Sequence, residues 1–229
     1  MNKKRGRMGR TTSALRGLFI SFEGIEGSGK STQCRSLAGW LRSRGYQVLE
    51  TREPGGTPIA EQLRACLLDR LDEPVTPWAE ALIVLAARSQ HVHQVIRPAL
   101  ELGAIVLCDR FLDSTLAYQG YGRGINLPFL TRMSHTAAGK LSPDLTFLFD
   151  VPVETGLRRR HHSQRGINRI DAESMKFHQR VRRGFLALAQ RHSRRIRTID
   201  ANRLPDLISK DVERTVGTFL VRRQLTKGS

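Results

Sequence analysis

The sequence predicts an α/β fold with a mostly parallel sheet covered by helices on both faces. Short apolar runs alternate with stretches of helical period, and a glycine-rich loop joins the first such pair. The residues that suggest chemistry follow the ends of the apolar runs, where sheets with right-handed crossovers bind their ligands. With 229 residues the chain can bury one substantial core, and a single domain is expected.

Residues 1–16 read as a basic tail holding six cations (Lys3, Lys4, Arg5, Arg7, Arg10 and Arg16) and no acid. No apolar stretch follows of the kind a secretory signal needs, and a start at Met8 would shorten the tail. GLFISFE, 17–23, is the first strand. Residues 30–44 follow as a helix with Cys34, Leu37, Ala38 and Leu41 on one face and Gly45 as its stop. YQVLETR, 46–52, is the second strand, and helical patterning returns over 57–69 and 78–95. GAIVLCDR, 103–110, and DLTFLFDV, 144–151, are the third and fourth strands, and RRIRTID, 194–200, is a weaker fifth. Between the last two, Phe177, Val181, Phe185 and Leu188 have helical spacing within 172–190. A closing helix over 205–221 precedes a short tail at 224–229.

Composition excludes some classes. Hydrophobic residues make up 39%, and no run approaches the ~18 to 20 apolar residues of a membrane-spanning helix, so a soluble protein is expected. Cys34, Cys66 and Cys108 form no CxxC pair, which argues against a disulfide framework or thiolate zinc site and suits a reducing cytoplasm. A net charge of +17 attracts polyanions without specifying which: nucleic acid, anionic lipid or nucleotide phosphate.

GIEGSGKS, from Gly24 to Ser31, matches GxxxxGK(S/T) between a strand and a helix, as a phosphate-binding loop requires. The expected ATP-binding segment is Gly24, Ile25, Glu26, Gly27, Ser28, Gly29, Lys30, Ser31 and Thr32. Its glycines let backbone N–H groups converge on phosphate oxygens, and the helix turns its positive end to the same anion. Lys30 is expected at the β and γ phosphates and Ser31 at Mg²⁺. Glu26 would repel a triphosphate, so it should face an acceptor pocket beyond the loop. Glu23 reads equally as a buried partner of Arg or Lys or as a group near the metal. Asp109, closing the third strand, is placed to orient Mg²⁺ or its waters, and Arg110 to clamp an acceptor phosphate. No NKxD guanine reader is present, and the third strand ends in an acid followed by arginine where a mechanical ATPase usually has two acids.

The segments FEGIEGSGKST, TREPGGTPIAEQLR, AARSQH, CDRFLDSTLAYQGYGRG, PDLTFLFDVP and INRIDAES resemble bacterial thymidylate kinases in order and spacing, from about residue 17 to residue 200. The resemblance implies a P-loop NTPase fold of the nucleoside monophosphate kinase type over 17–223, with a lid at about 158–170. It implies a cytoplasmic homodimer that uses Mg²⁺ and moves the γ-phosphate of ATP to dTMP, giving dTDP for dTTP biosynthesis. By position, Arg52 and Arg110 hold the dTMP phosphate and Glu26 meets the 3′-hydroxyl of the sugar. Arg88 and Thr115 read the thymine edge, Pro54 packs on the ring, and Tyr118 lies under the deoxyribose where a 2′-hydroxyl would collide. Ser114 and Gln119 fall in the same acceptor segment. Val84 stands where the family commonly has an aromatic, which puts base stacking in question.

RRRHHSQRGINR, 158–169, resembles the lid of the subtype with glycine in the phosphate loop where another subtype has arginine; here that glycine is Gly27. A cation from either place can stabilise the transferring phosphoryl group. Arg165 is the expected catalytic lid arginine, with Arg160 and Arg169 as rivals. His161 and His162 read as exposed lid residues, and His91 and His93 as pointing to different sides of a helix. Two other functions remain open: a kinase for another deoxynucleoside monophosphate, and a nucleic-acid-associated ATPase. The basic regions lack the interleaved aromatics of the latter, so no specific nucleic-acid partner is expected.

Overall fold

A computed structural model describes residues 17–69, 73–163 and 166–227. The basic tail, Gln164, Arg165 and the last two residues lie outside the described residues. Five strands, β1 (Leu18–Glu23), β2 (Val48–Arg52), β3 (Ile105–Asp109), β4 (Leu145–Asp150) and β5 (Ile196–Asp200), form one parallel sheet in the order β2-β3-β1-β4-β5. Each strand lies inside the run expected for it, trimmed by one or two residues where chain turns begin. The expected doubly covered α/β architecture is what forms.

The register explains why chemistry collects at one rim. Phe22 and Arg52 both lie opposite Asp109, so β1, β2 and β3 end together and their following residues enter a common space. Alternation along β1 sends Leu18, Ile20 and Phe22 to one face and Phe19 to the other. On the first face Phe22 stacks on Phe149 at 5.9 Å between centroids, and on the second Phe19 meets Phe111 edge-on at 4.8 Å.

The helices are α1 (Lys30–Arg42), α2 (Pro58–Leu68), α3 (Pro77–His91), α4 (Arg97–Glu101), α5 (Leu112–Thr115), α6 (Leu127–Ala137), α7 (Val153–His161), α8 (Met175–Arg191) and α9 (Pro205–Lys227). α3 passes into α4 through a π-helical turn at Val92–Ile96, and α5 continues as another at Leu116–Gly122. α8 buries Phe177, Val181, Phe185 and Leu188 as its spacing predicted. α9 is longer than expected and reaches Lys227.

Four of these helices, α4 to α7, fall outside the helical patterning that the sequence predicts. α4 is only five residues long and α5 only four, so neither displays a helical period. α5 and its π turn also bury Asp113, Ser114, Thr115 and Gln119 alongside Leu112 and Leu116, and buried polar groups blur an apolar stripe. α6 was legible from its caps: Asn126 accepts a hydrogen bond from Phe129 N and Pro128 sits in the first turn. α7 runs to His161, so the first part of the expected lid is helix and the irregular part begins after it.

Candidate active site

The phosphate loop folds as its glycines dictate. Gly24, Gly27 and Gly29 have φ of 140°, 68° and 90°, and a Cβ on Gly27 would stand 1.9 Å from the carbonyl oxygen of Gly156 in α7. α1 starts at Lys30 with no side-chain cap, which leaves its first N–H groups to a ligand. Lys30 is buried, and its Nζ donates to the Ile25 carbonyl at 2.8 Å and to Ser28 Oγ at 3.4 Å. Burial, with repulsion from Arg110, pulls the Lys30 ammonium down to about 8 against the attraction of Asp109, Glu26 and Glu23. Ser31 Oγ donates to the Asp109 carboxylate.

From this loop one cavity of about 670 Å³ runs past the strand ends to α3. Lys30, Ser31, Thr32, Gly27 and Gly29 line one end, while Gly24, Ile25 and Ser28 shape the loop from behind. Arg52, Pro54, Arg88, Asp109 and Arg110 line the remainder, with Ser114, Thr115, Tyr118 and Gln119 brought in by α5 and its π turn. Scattered sequence positions thus share one space.

Glu26 lines this space and turns its carboxylate to Arg110 and Tyr118. Its Oε1 accepts from Arg110 Nη2 at 2.8 Å and from the Tyr118 hydroxyl at 2.5 Å. Its Oε2 is buried without a hydrogen bond, 3.5 Å from His178 Nδ1. Burial alone would raise the Glu26 carboxyl, but Arg110, then His178, Lys30 and Tyr118, outweigh it and hold the group well below the usual carboxylate range. Burial pushes the Tyr118 hydroxyl up, so it stays protonated and donates.

Arg110 sits at φ 73°, an unusual conformation for a side chain of its size, secured by N–H donation to the Phe22 carbonyl and by its own guanidinium. Nη1 donates to the Gly24 carbonyl at 3.0 Å and to Ser114 Oγ at 3.2 Å. Ser114 in turn donates to Glu23 Oε2 at 2.6 Å, and Phe111 N donates to Glu23 Oε1 at 2.8 Å. Glu23 is fully buried, as a structural partner would be, and it acts on Arg110, Lys30 and Arg195 through the field rather than through an ion pair among the described residues. Its hydrogen bonds go to the segment after β3, and it is not one of the residues that line the cavity. Burial and the nearby Asp113 push its carboxyl up to about 8.

At the far end, Arg88 Nε donates to Glu53 Oε2 at 2.7 Å and Nη2 to the Phe111 carbonyl at 3.0 Å. Arg88 Nη1 and Thr115 Oγ1 are both buried without partners among the described residues. Val84 forms part of the wall, and Arg52, half-exposed, pairs with Glu61 at 2.8 Å. Gln119 Nε2 is bound to Glu80 at 2.9 Å.

The lid candidates separate. Arg160 lines the cavity and pairs with Asp171 at 2.7 Å. Arg169 turns away from the cavity to Glu80 Oε2 at 2.8 Å and the Leu67 carbonyl at 2.9 Å, where it braces the lid to α2 and α3. Arg165 lies outside the described residues. His161 and His162 are exposed, and His91 is buried while His93 is exposed, as expected.

Sequence reasoning missed Arg64, Arg159, Glu53 and Glu80. Arg64 reaches the cavity from α2 and donates to the Pro54 carbonyl at 2.8 Å. Its spacing of three from Glu61, which holds Arg52, places both on one helix face beside the strand end, and that was the available signal. Glu80, buried under Arg123, Arg169 and Gln119, carries no local signal because its partners lie far along the chain.

The profile of the family described as Thymidylate kinase matches residues 22–212. A relative named thymidylate kinase from Thermomicrobium roseum is 52% identical over 204 residues, covering 89% of this chain and 96% of the relative. Another so named, from Pelotomaculum thermopropionicum, is 50% identical over 198 residues, covering 86% and 92%. The crystal structure of thymidylate kinase from Ehrlichia chaffeensis superposes with a TM-score of 0.70 at 34% identity, covering 87% of this chain and 98% of that one. A P-loop sheet of this order, a cavity joining the loop to a second, arginine-lined end, and relatives of this closeness agree: the chain belongs to the thymidylate kinase family, whose members are ATP-dependent phosphotransferases.

Proposed function

We propose that the chain transfers the γ-phosphate of ATP directly to the 5′-phosphate of dTMP, yielding dTDP and ADP. The observation that carries this reading is the single cavity, with a phosphate loop at one end and two buried, unpartnered polar groups, Arg88 Nη1 and Thr115 Oγ1, at the other. A buried guanidinium N–H can only donate, so it favours a base with a carbonyl at position 4, such as thymine, over cytosine, whose amino group also donates. Glu26 and Tyr118 lie between base and phosphate, where the carboxylate accepts the 3′-hydroxyl and the ring underlies the sugar. Pro54, Phe111 and Val84 give the base an apolar wall in place of an aromatic at position 84.

Little proton chemistry is needed, because the attacking phosphate oxygen is already anionic. Catalysis comes from alignment and from cations, with Arg52 and Arg110 on the acceptor and Lys30 on the transferring group. Arg64 adds a third guanidinium to the acceptor side. Mg²⁺ would be held by Ser31 and Asp109 and would neutralise the β and γ oxygens. Their two hard oxygens suit an ion that keeps waters and takes substrate phosphates, and among the described residues no group of three or more His, Cys, Asp or Glu forms a protein-only cage.

The lid supplies the further cation. Gly27 cannot give way to arginine in this loop, since φ is 68° and a Cβ would strike Gly156. Arg165 remains the preferred lid arginine and Arg160 its rival. An Arg165→Ala variant should slow single turnover by about 10³-fold or more, and an unchanged rate would transfer the role to Arg160. A homodimer is the proposed assembly, and exposed Trp78 and Leu82 on α3 with Phe129 on α6 offer it an apolar face. Sedimentation at a mass of one chain would reject it.

Initial rates of ADP release with dTMP, dUMP, dCMP and UMP test the function. dTMP should be the fastest acceptor. If no monophosphate were phosphorylated and DNA or RNA stimulated ATP hydrolysis, the chain would be a nucleic-acid-associated ATPase.

A further inference from the structure

We propose that Glu53 and His91 form a buried brace that aims Arg88 at the acceptor base, making both of them positioning residues for base selection. The inference rests on the reading of Arg88 as a base contact. Arg88, Glu53 and His91 are 1%, 3% and 0% exposed, an unusual concentration of polar groups in the interior of one element pair. A guanidinium buried without a partner would cost several kcal/mol, so Glu53 neutralises it. Neutralisation alone would be served as well by a carboxylate gripping the guanidinium with both oxygens. Here only Oε2 takes Arg88 Nε, at 2.7 Å, while Oε1 is held by His91 Nδ1 at 3.2 Å.

A carboxylate oxygen only accepts, so Nδ1 carries a hydrogen towards Glu53, while Nε2 lies 2.7 Å from the Thr51 hydroxyl. His91 thus keeps Glu53 from swinging to claim Nη1. With Nη2 spent on the Phe111 carbonyl and the guanidinium carbon 5.1 Å from the Phe111 ring centroid, Nη1 is the nitrogen left without a partner among the described residues, on a side chain that lines the cavity. The brace also explains part of the TREPGGT segment. A Cβ on Gly56 would lie 2.5 Å from His91 Cδ2 and Nε2 and 2.9 Å from Thr51 Oγ1, so glycine there is what lets the histidine reach its place. Arg88 and His91, three apart on α3, share the helix face that receives this segment.

The test compares acceptor kinetics with dTMP and dCMP at saturating ATP. Arg88→Met comes first: if it leaves the dTMP over dCMP preference intact, the reading of Arg88 has failed, and this proposal with it. Given that Arg88→Met erodes the preference, His91→Phe should raise KM for dTMP about tenfold and cut the preference by a similar factor, the worth of one hydrogen bond to a charged group. KM for ATP and kcat should stay within about twofold. His91→Asn, which keeps a donor near the Nδ1 position, should recover most of the loss. A His91→Phe protein with a lowered melting temperature but unchanged preference and KM would show the brace to be structural only and overturn the proposal. Should His91→Phe fail to fold, Thr51→Val removes just the outer link. It should shift the same preference by about two- to threefold, and no shift would overturn the proposal equally.

Discussion

At the acceptor end of the cavity the guanidiniums of Arg88 and Arg110 are already tied to carboxylates, whereas at the donor end Lys30 is bonded, among the described residues, only to its own loop. Glu53 and Glu26 fix two cations in place before any ligand arrives. Lys30 donates to the Ile25 carbonyl and to Ser28, contacts a phosphate would replace, and its ammonium is drawn down by burial and by Arg110. The acceptor end is therefore built for selection, with its geometry set in advance. The donor end holds a cation whose preferred partner is the ligand itself, so its full strength is available to the transferring group.

Substitutions at the two ends should differ in kind. The largest effect is expected for Lys30→Met, which should lower kcat by about 10³-fold with KM for dTMP little altered. A large rise in KM for dTMP with normal kcat would blur the distinction between the ends. Arg110→Met removes one partner of the pair with Glu26 and should lower kcat/KM for dTMP by about 10²-fold. A loss confined to KM for ATP would place Arg110 with the donor. Tyr118→Phe deletes one hydrogen bond to Glu26 and should cost about 1.5 kcal/mol, roughly tenfold in kcat/KM for dTMP, with KM for ATP unmoved.

The smallest effect concerns Glu23, which lies beneath the acceptor end. Its carboxyl is raised in the fold from an ordinary 4.5 to about 8, so the folded state holds a proton that the unfolded chain releases. Stability tied to that proton is complete below about 4.5 and is lost as pH rises to about 8. Lys30 contributes with the opposite sign and higher up, stability returning as pH rises from about 8 to 10.5. Glu23→Gln should therefore flatten the fall in melting temperature between pH 5 and pH 8. An identical slope in wild type and variant would show that Glu23 titrates normally in the fold.

What the sequence made legible follows the same division. The phosphate loop is contiguous, so spacing and flanking elements marked Gly24 to Thr32, and Asp109 and Arg110 stood out at a strand end. Resemblance added Arg52, Arg88, Thr115 and Tyr118, and the structure brings all four to one cavity. The supports of those residues were not legible. The Arg88–Glu53–His91–Thr51 chain joins positions up to 40 apart, and Glu80 gathers Arg123 and Arg169 from two distant segments. Such contacts leave no period in the sequence. The strands were readable because burial on both faces makes continuous apolar runs, and 112–122 was not, because its buried side chains include polar groups that serve the site.

The most direct measurement is calorimetric titration of dTMP into the protein, first without nucleotide and then with Mg²⁺ and a non-hydrolysable ATP analogue. An acceptor end set in advance predicts that dTMP binds in both cases, with Kd values within about threefold of one another. Binding of dTMP only after the analogue is loaded would contradict it.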